Sequence, residues 1–232
     1  MTTIEQTRTQ RIARQLIHLL CRVLIFLLTR REVRGKENVP EHGPLLVAAN
    51  HLGMADQYFI ALNIKRRMMY MAKEELFRHL PLRLLVQAFG AFPVRRGLID
   101  RRSLGQANQV LSSGLALFMF PEGTRSKDGK LQPAFPGSAL IALDNNVPIL
   151  PIGIAGLENV RKGPLWWIAH RHQLTVRINI GRPFYLPAQE GKITKERLRG
   201  MADLIMEHIA ELLPPEYRGY YAQKVESHGT KD

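Results

Sequence analysis

A single cysteine, Cys21, is all that this chain of 232 residues contains, so an internal disulfide framework is excluded. That cysteine lies in an apolar stretch, where a free thiol usually behaves as a small hydrophobic group, and we assign it no chemical role. The sequence also lacks internal repeats and low-complexity segments, which excludes solenoid and linker-like architectures. These absences leave an ordinary globular fold as the expectation.

The chain also lacks an apolar run of the roughly 20 residues that a membrane-spanning helix needs. Its best candidate, residues 16–28, is shorter and is interrupted by His18 and Arg22. The start of the chain makes a poor secretory signal, because Glu5 and several arginines precede the apolar part and Arg30 and Arg31 follow it. We therefore expect the protein to stay in the cytoplasm, as a peripheral or monotopic protein on the cytoplasmic face of the membrane.

Positive charge is in excess. Lysine and arginine number 33 against 20 aspartates and glutamates, which gives a formal net charge of +13. Such a balance predicts attraction to polyanions, either nucleic acid, anionic lipid headgroups or phosphorylated ligands. Charge alone does not choose among these partners. Because no nucleic-acid-binding motif is recognisable, we expect no nucleic acid, which leaves an anionic membrane surface or a phosphorylated ligand.

Residues 8–28 have the pattern of a basic amphipathic helix. At about 100° per residue, a basic stripe lies on one side and an apolar stripe lies opposite. The basic stripe comprises Arg8, Arg11, Arg14, His18 and Arg22, and the apolar stripe comprises Ile12, Leu16, Leu19, Leu20, Val23 and Leu27. This pattern suits the boundary between lipid headgroups and acyl chains, and it also suits a helix packed on its own domain.

After Gly35, short apolar runs alternate with longer helical stretches, which is typical of α/β proteins. We predict buried strands at 45–49, 89–94, 115–120 and 149–154, and a half-exposed strand at 176–180. Helices are predicted at 102–113, which Gly114 would cap, and at 194–213, which Pro214 and Pro215 would end. We divide the chain into a membrane-docking helix at 1–30, a main domain at 31–213 and a loose C-terminal tail at 214–232.

A histidine and an aspartate follow the first buried strand. If residues 53–56 begin a helix, the Asp56 carboxylate can fold back and accept a hydrogen bond from one ring nitrogen of His51. Such a carboxylate fixes the tautomer and stabilises the imidazolium, so the other ring nitrogen can take a proton from a hydroxyl. The spacing is common by chance, so the pair needs support from other segments.

Two further segments end predicted strands. In residues 120–126, glycine permits close approach of a ligand, Thr124 and Ser126 offer hydroxyls, and Arg125 offers a guanidinium that fits phosphate oxygens. The alternative is a turn with Arg125 in solvent. Residues 90–96 end in Arg95 and Arg96, which form either an anion-binding cluster or a solvated strand end.

Four segments follow one another along the chain: Asn-His-x-x-x-x-Asp at 50–56, Gly-x-Phe-Pro-Val-x-Arg at 90–96, Phe-Pro-Glu-Gly-Thr-Arg-Ser at 120–126 and Val-Pro-Ile-Leu-Pro-Ile at 147–152. Together they resemble the four sequence blocks of the glycerolipid acyltransferase family. The best known members are the 1-acylglycerol-3-phosphate acyltransferases. The resemblance spans about residues 35–185. It implies an αβα sandwich around a mostly parallel mixed sheet, with the amphipathic helix before it.

The resemblance also implies roles for individual residues. His51 would be the catalytic general base with Asp56 as its partner, and Arg96 would hold the acceptor phosphate. Lys73 would steady the developing oxyanion. The third block would contribute further acceptor-binding residues: Glu122, Gly123, Thr124 and Arg125. No metal and no cofactor are implied, because acyl-CoA or acyl carrier protein enters as the acyl-donor substrate.

Two departures from the family pattern bear on the acceptor. Arg95 stands where many members have an acidic residue, and Phe135 precedes Gly137 in a segment where a lysine is usual. The chemistry otherwise agrees: the chain lacks a Gly-x-Ser-x-Gly nucleophile elbow, and an activated thioester requires only a base, an oxyanion site and a phosphate grip. We therefore expect acyl transfer to the hydroxyl of 1-acylglycerol-3-phosphate, giving phosphatidate. The alternatives are another lysolipid or an amino-acid-based lipid as acceptor, or a non-catalytic membrane-binding protein.

Overall fold

The computed structural model describes residues 8–94, 101–157, 169–170, 175–188, 191 and 193–229. The strands are β1 (Arg30–Arg34), β2 (Leu45–Ala49), β3 (Met68–Lys73), β4 (Ala91–Val94), β5 (Ala116–Met119), β6 (Ile149–Ala155) and β7 (Thr175–Ile180). The α-helices are α1 (Arg8–Leu28), α2 (Asp56–Asn63), α3 (Leu80–Ala88), α4 (Arg101–Ser112), α5 (Gly137–Asn145), α6 (Lys195–Glu211) and α7 (Ala222–Gly229).

The strands form one seven-stranded sheet in the order β1-β7-β6-β2-β5-β3-β4. Five neighbours, β6, β2, β5, β3 and β4, run parallel to one another. Strand β7 is antiparallel to β6, and β1 pairs in parallel with β7. The expected mostly parallel mixed sheet is therefore confirmed. The predicted strands are all present, with ends that differ by one or two residues, and β2 has the predicted bounds.

Strand β2 shows why this is a three-layer fold. All five of its residues are buried, as expected for a central parallel strand covered on both faces. Leu45 and Val47 join a core that contains Phe59 of α2, whereas Leu46 and Ala48 join the opposite core. That second core contains buried residues of α4, α5 and α6, among them Leu111, Ile141 and Ile205. Helix α2 therefore covers one face of the sheet, and α4, α5 and α6 cover the other.

Helix α1 is present as predicted, and it contacts its own domain along a narrow side. Ile25 is buried in the core on the α2 face, and the His18 ring stacks on Phe89 at 4.1 Å. The predicted apolar stripe is open to solvent, with its described members all exposed together with Phe26: Leu16, Leu19, Leu20, Val23 and Leu27. Within the described residues, no helix combines the length and the apolar content needed to cross a bilayer.

The expectation of a loose tail after residue 213 is wrong for residues 215–229. Two short 3-10 helices, Pro215–Tyr217 and Gly219–Tyr221, lead into α7. Tyr221 is fully buried; its hydroxyl donates to Asp203 at 2.8 Å and accepts from the amide of Ala134 at 3.0 Å. Buried aromatic area and these hydrogen bonds fix the segment against α6 and against the loop that precedes α5.

Candidate active site

The site lies where the connections of two neighbouring parallel strands diverge. After β2 the chain passes through α2 on one face to β3, and after β5 it passes through α5 on the other face to β6. Because β2 and β5 are adjacent, their carboxyl ends face the same crevice. In open α/β sheets ligands bind at such a switch point. His51 follows β2 by two residues and Glu122 follows β5 by three, so the fold brings two sequence-distant segments together here.

His51 and Asp56 form the predicted pair. Nδ1 of His51 lies 2.7 Å from Oδ2 of Asp56, the first residue of α2. The same oxygen accepts the amides of Leu52 at 2.6 Å and Gly53 at 2.8 Å. These amides and the positive end of the helix dipole stabilise the carboxylate charge, although Asp56 is fully buried. An ionised Asp56 requires the proton of a neutral imidazole on Nδ1, which leaves the lone pair on Nε2.

The imidazole is also held through its backbone and its face. The His51 amide donates to Oε1 of Glu122 at 2.9 Å, and its carbonyl accepts the amide of Ser126 at 2.8 Å. The ring stacks on Phe120 with centroids 3.8 Å apart and planes at 7°. Although His51 is only 4% exposed, Nε2 has no hydrogen bond to a described residue and is not sealed from solvent. A fixed ring with one open nitrogen is the geometry that a general base requires.

Glu122 lies behind the histidine rather than at the opening. Its two carboxylate oxygens accept the amides of His51 and of Gln132, at 2.9 and 3.0 Å. Burial raises the pKa of this carboxyl to about 7, against the opposing effect of the two amides. The geometry gives Glu122 a positioning role, in which it ties the loop after β5 to the backbone of the base. Its expected contact with the acceptor stays a prediction.

The rest of the third block lies closer to solvent. Thr124 and Arg125 are exposed, as a ligand contact requires. Gly123 has φ of 64°, and a Cβ there would come within 2.8 Å of the Phe135 ring, so a side chain fits neither the backbone nor the space. Phe135 thus stands directly against the motif. The departure from the family pattern at this position therefore puts an aromatic ring beside the Thr124 and Arg125 loop.

Two further predicted residues belong to β3 and to the segment after β4. Lys73 ends β3, which is separated from β2 by β5, and its exposed ammonium pairs with Glu75 at 3.2 Å. It lies at the same edge of the sheet as His51, but it is engaged with a carboxylate of its own segment. Arg96, with Arg95, lies outside the described residues, two positions beyond the end of β4. Their roles stay predictions.

Sequence analysis missed three contributors to the site. The Asn50 side chain donates to the carbonyl of Ile154 at 2.9 Å and accepts its amide at 2.8 Å, which ties the loop after β2 to β6. Phe120 stacks on the imidazole of His51, and the Gln132 amide donates the second of the two hydrogen bonds to the Glu122 carboxylate. Asn50 and Phe120 belong to the sequence blocks quoted above, so their positions in the sequence could have indicated a role in the site. Gln132 acts through its backbone, which leaves no signature in residue type.

The arrangement offers a buried, oriented base beside a cationic loop, and it points to proton abstraction from a hydroxyl. Among the described residues, no group of three histidine, cysteine, aspartate or glutamate side chains is placed to hold a metal ion. Cys21, the single cysteine of the sequence, belongs to α1 and is not among the residues that contact His51 or Asp56. With its imidazole oriented by Asp56, the site can activate an alcohol at the carboxyl end of the sheet.

Comparisons with known proteins agree with this geometry. A structure of the lysophosphatidate acyltransferase PlsC from Thermotoga maritima superposes with a TM-score of 0.65, covering 98% of this chain and 84% of that one at 24% identity, which supports the fold. A 1-acyl-sn-glycerol-3-phosphate acyltransferase from Bacillus subtilis is 27% identical over 82% of this chain and 92% of its own length. A chloroplastic enzyme of the same name from Brassica napus is 29% identical over 70% of this chain, which spans about half of that relative, 47%.

The family described as Acyltransferase matches residues 30–155, which is more than half of the chain. That match runs from β1 to the end of β6 and includes both His51 and Asp56. It therefore covers strands β1 to β6, the switch point and the His51–Asp56 pair in one continuous segment. This chain belongs to the acyltransferase family.

Proposed function

We propose that this protein transfers a fatty acyl group from a thioester donor, acyl-CoA or acyl carrier protein, to the free hydroxyl of 1-acylglycerol-3-phosphate. The product is phosphatidate for phospholipid synthesis. The observation that carries the proposal is the 2.7 Å contact between His51 and Asp56 at the switch point, with Nε2 open. The names of the relatives from Bacillus and Brassica support the choice of acceptor.

The reaction follows from that geometry. Nε2 of His51 takes the proton of the acceptor hydroxyl while its oxygen attacks the thioester carbonyl carbon, and Asp56 stabilises the imidazolium that forms. The carbonyl becomes a tetrahedral oxyanion. When this collapses, the carbon–sulfur bond breaks, the new ester bond remains, and the leaving thiolate takes the proton from His51. The base is restored, and no covalent acyl-enzyme intermediate forms. The proposed reaction therefore uses only the two substrates and the side chains of the protein.

Charge around the opening suits the acceptor phosphate. Arg125 is exposed on the loop after β5, three residues beyond the buried Glu122. Arginine binds phosphate oxygens in a bidentate manner, and Thr124 beside it offers a hydroxyl. We assign the phosphate to Arg125 together with Arg96, and the oxyanion to Lys73. Lys73 must then exchange its contact with Glu75 for the reacting oxygen.

The lipid substrate requires access to a bilayer, and α1 provides a surface for it. Its outward stripe exposes large apolar side chains; Leu20 is 59% exposed and Phe26 is 67% exposed. Contiguous exposed apolar area of this kind marks an interaction site. We propose that α1 lies in the interfacial region of the cytoplasmic face of the membrane, with this stripe among the acyl chains.

A labelled-donor assay tests the proposed activity. Purified protein receives labelled acyl-CoA or acyl carrier protein together with 1-acylglycerol-3-phosphate or another lysolipid, and labelled product is scored. We expect the 1-acylglycerol-3-phosphate arm to give the highest rate. We expect His51→Ala to lower it by about 10² to 10⁴, the usual contribution of a positioned general base.

His208→Ala is the matched control. That ring stacks on Phe184 at 3.9 Å, and His208 belongs to α6, away from the crevice, so its removal should leave the rate unchanged. A higher rate with another lysolipid would refute the acceptor assignment. Undiminished transfer by a folded His51→Ala protein would refute the assignment of the base. Absence of transfer by the wild-type protein with every lysolipid would favour a non-catalytic membrane protein.

A further inference from the structure

A second large cavity lies at the opposite edge of the sheet from His51. It has a volume of about 920 Å³ and is enclosed by the second half of α1, residues 36–42 before β2, and residues 62–66 between α2 and β3. These segments precede the amino ends of β2 and β3, whereas the catalytic pair follows their carboxyl ends. A strand of five residues spans roughly 17 Å. The cavity is therefore a separate site, within the size range of small-molecule pockets.

The charged side chains that line this cavity are predominantly cationic. Five positive side chains reach it: Arg22, Arg31, Lys36, Lys65 and Arg66. Two carboxylates, Glu37 and Glu41, and the neighbouring His42 also line it, so positive charge remains in excess. Among the described residues, neither Lys36 nor Lys65 forms an ion pair. An anion would therefore meet lysines that no carboxylate of the described structure neutralises.

Arg66 fixes the floor of the cavity. Its guanidinium donates to the carbonyls of Pro40 and His42, at 2.7 and 3.1 Å, and also to that of Gly43. These bonds hold the segment before β2 against the end of α2. Because an arginine keeps its charge while it donates, it contributes both rigidity and a positive field. The cationic wall is thus built into the domain and does not depend on mobile side chains alone.

The other wall is apolar and continues onto the membrane-facing stripe of α1. Val23, Phe26 and Leu27 line the cavity, and all three belong to the exposed face of α1. The Arg31 guanidinium stands over the Phe26 ring at 5.5 Å, where the two walls meet. A ligand that matches both walls carries a phosphate next to an acyl chain. A free phosphate would leave the apolar wall unmatched.

We propose that this cavity binds the headgroup of an anionic phospholipid of the bilayer, as a site separate from the catalytic crevice. The phosphate lies among Arg31, Lys36 and Lys65, and the acyl chains leave along Val23, Phe26 and Leu27. The apolar stripe sets the depth of α1 in the membrane, and this site selects membranes that carry anionic lipid. The proposal holds whichever acceptor the enzyme acylates.

Vesicle binding with matched charge variants tests the site. The vesicles are phosphatidylcholine with roughly one lipid in five replaced by phosphatidylglycerol, which is neither the proposed acceptor nor the product. Arg31→Gln/Lys36→Gln/Lys65→Gln should lower the affinity roughly 100-fold, from the usual contribution of each cation near an anionic surface. Lys36→Gln/Lys65→Gln, which changes only exposed side chains, should lower it about 30-fold and guards against misfolding of the triple variant.

The control removes the same number of charges elsewhere, with Lys195→Gln/Arg197→Gln/Arg199→Gln on exposed positions of α6. We expect this variant to stay within about threefold of wild type, since these charges belong to α6, on the opposite face of the sheet from α2, and solvent ions screen exposed charges over about 10 Å. Equal losses in both triple variants would show general attraction by net charge and overturn the site. Retained affinity in the cavity variants, or displacement by inorganic phosphate beyond that by chloride at equal ionic strength, would overturn it as well.

Discussion

The two edges of the sheet are built on opposite principles. At the carboxyl edge, His51, Asp56 and Glu122 are all buried, and five hydrogen bonds of 2.6 to 2.9 Å hold the imidazole and its carboxylate partner. At the amino edge, α1 leaves a row of large apolar side chains in solvent beside a cavity whose Lys36 and Lys65 form no ion pair with a described residue. At the carboxyl edge the polar groups hydrogen-bond to one another, whereas at the amino edge the apolar side chains of α1 are exposed to solvent.

Under the proposed function, the contrast reflects two different demands: catalysis at the carboxyl edge, the catalytic edge, and membrane contact at the amino edge, the membrane edge. A general base must keep one tautomer and one orientation through the reaction, so its neighbours are fixed before substrate arrives. A membrane contact gains its free energy only when water leaves apolar side chains, so these must be exposed in the free protein. We infer that the catalytic edge tolerates almost no substitution, whereas the membrane edge responds gradually to loss of apolar area and charge.

The largest effect should come from the catalytic edge, with Asp56→Asn. The side chain keeps its size, and its amide oxygen can still accept the backbone amides of Leu52 and Gly53. It loses the negative charge that stabilises the imidazolium of His51, so we expect kcat to fall about 10²- to 10⁴-fold. KM for the acceptor should stay within about threefold, because substrate binding does not depend on that charge.

The matched control is Asp144→Asn, which removes an exposed carboxylate in the last turn of α5. Its kcat should equal that of wild type, and both variants should unfold at the wild-type denaturant concentration. If Asp56→Asn instead unfolded at a lower denaturant concentration with an unchanged kcat, the carboxylate would serve only to hold the loop after β2. The contrast between the two edges would then not extend to a catalytic role of Asp56.

A smaller effect is expected at the membrane edge, with Leu20→Ser/Phe26→Ser. Both side chains are exposed, so their loss leaves the core intact. Burial of such a side chain in an apolar phase is worth about 1.5–3 kcal/mol. Allowing for partial insertion, we expect affinity for neutral phosphatidylcholine vesicles to fall roughly 100-fold, as measured by co-sedimentation.

Two exposed aromatic residues elsewhere provide the comparison. Tyr185→Ser/Tyr220→Ser removes similar exposed area outside α1 and should leave vesicle binding unchanged. Equal losses in both double variants would mean that no one surface faces the bilayer. These point variants are sharper than removal of α1, because Ile25 of α1 is part of the buried core and a truncation would remove it and expose its core neighbours.

How far the sequence predicts the structure depends on whether the signal is local. The bounds of β2 were predicted because its five apolar residues are buried on both faces, whereas β3 was missed. Its sequence, Met-Met-Tyr-Met-Ala-Lys, is poor in β-branched residues, and pairing with β4 and β5 overrides that propensity. The wheel of α1 located the apolar stripe, but which side packs on the domain depends on contacts with Phe89 and the core.

The site shows the same limit. His51 and Asp56 are five residues apart, so the start of α2 alone brings them together, and their pairing was predicted. The family resemblance assigned Glu122 to the acceptor, and that role stays a prediction. Its burial behind His51 was not predicted, because this depends on β2 and β5 being neighbours, which no local pattern states. The tail after residue 213 was judged loose because Pro214 and Pro215 end a helix. The contact that orders it, Tyr221 with Asp203 and Ala134, is tertiary.

The smallest effect is the one expected from a change of one pH unit, which acts on the catalytic edge through Glu122. Burial raises the pKa of this carboxyl from an ordinary 4.5 to about 7. Between those values the folded protein keeps a proton that the unfolded chain releases. Stability from this group is therefore full below the lower value and falls as pH rises toward the higher one, by at most about 1.4 kcal/mol per pH unit. Above the higher value both states are ionised and the loss levels off.

Glu122→Gln should abolish this slope, since an amide does not titrate. Urea unfolding of both proteins between about pH 5 and about pH 8 should then give a free-energy difference, wild type minus variant, that falls with pH up to about 7 and is flat beyond it. Glu216→Gln, an exposed glutamate, should give a difference that stays flat throughout. A flat difference for Glu122→Gln too would mean that the carboxylate is ionised at its ordinary pKa. The catalytic edge would then be more accessible to water than its burial implies, and the contrast with the membrane edge would weaken.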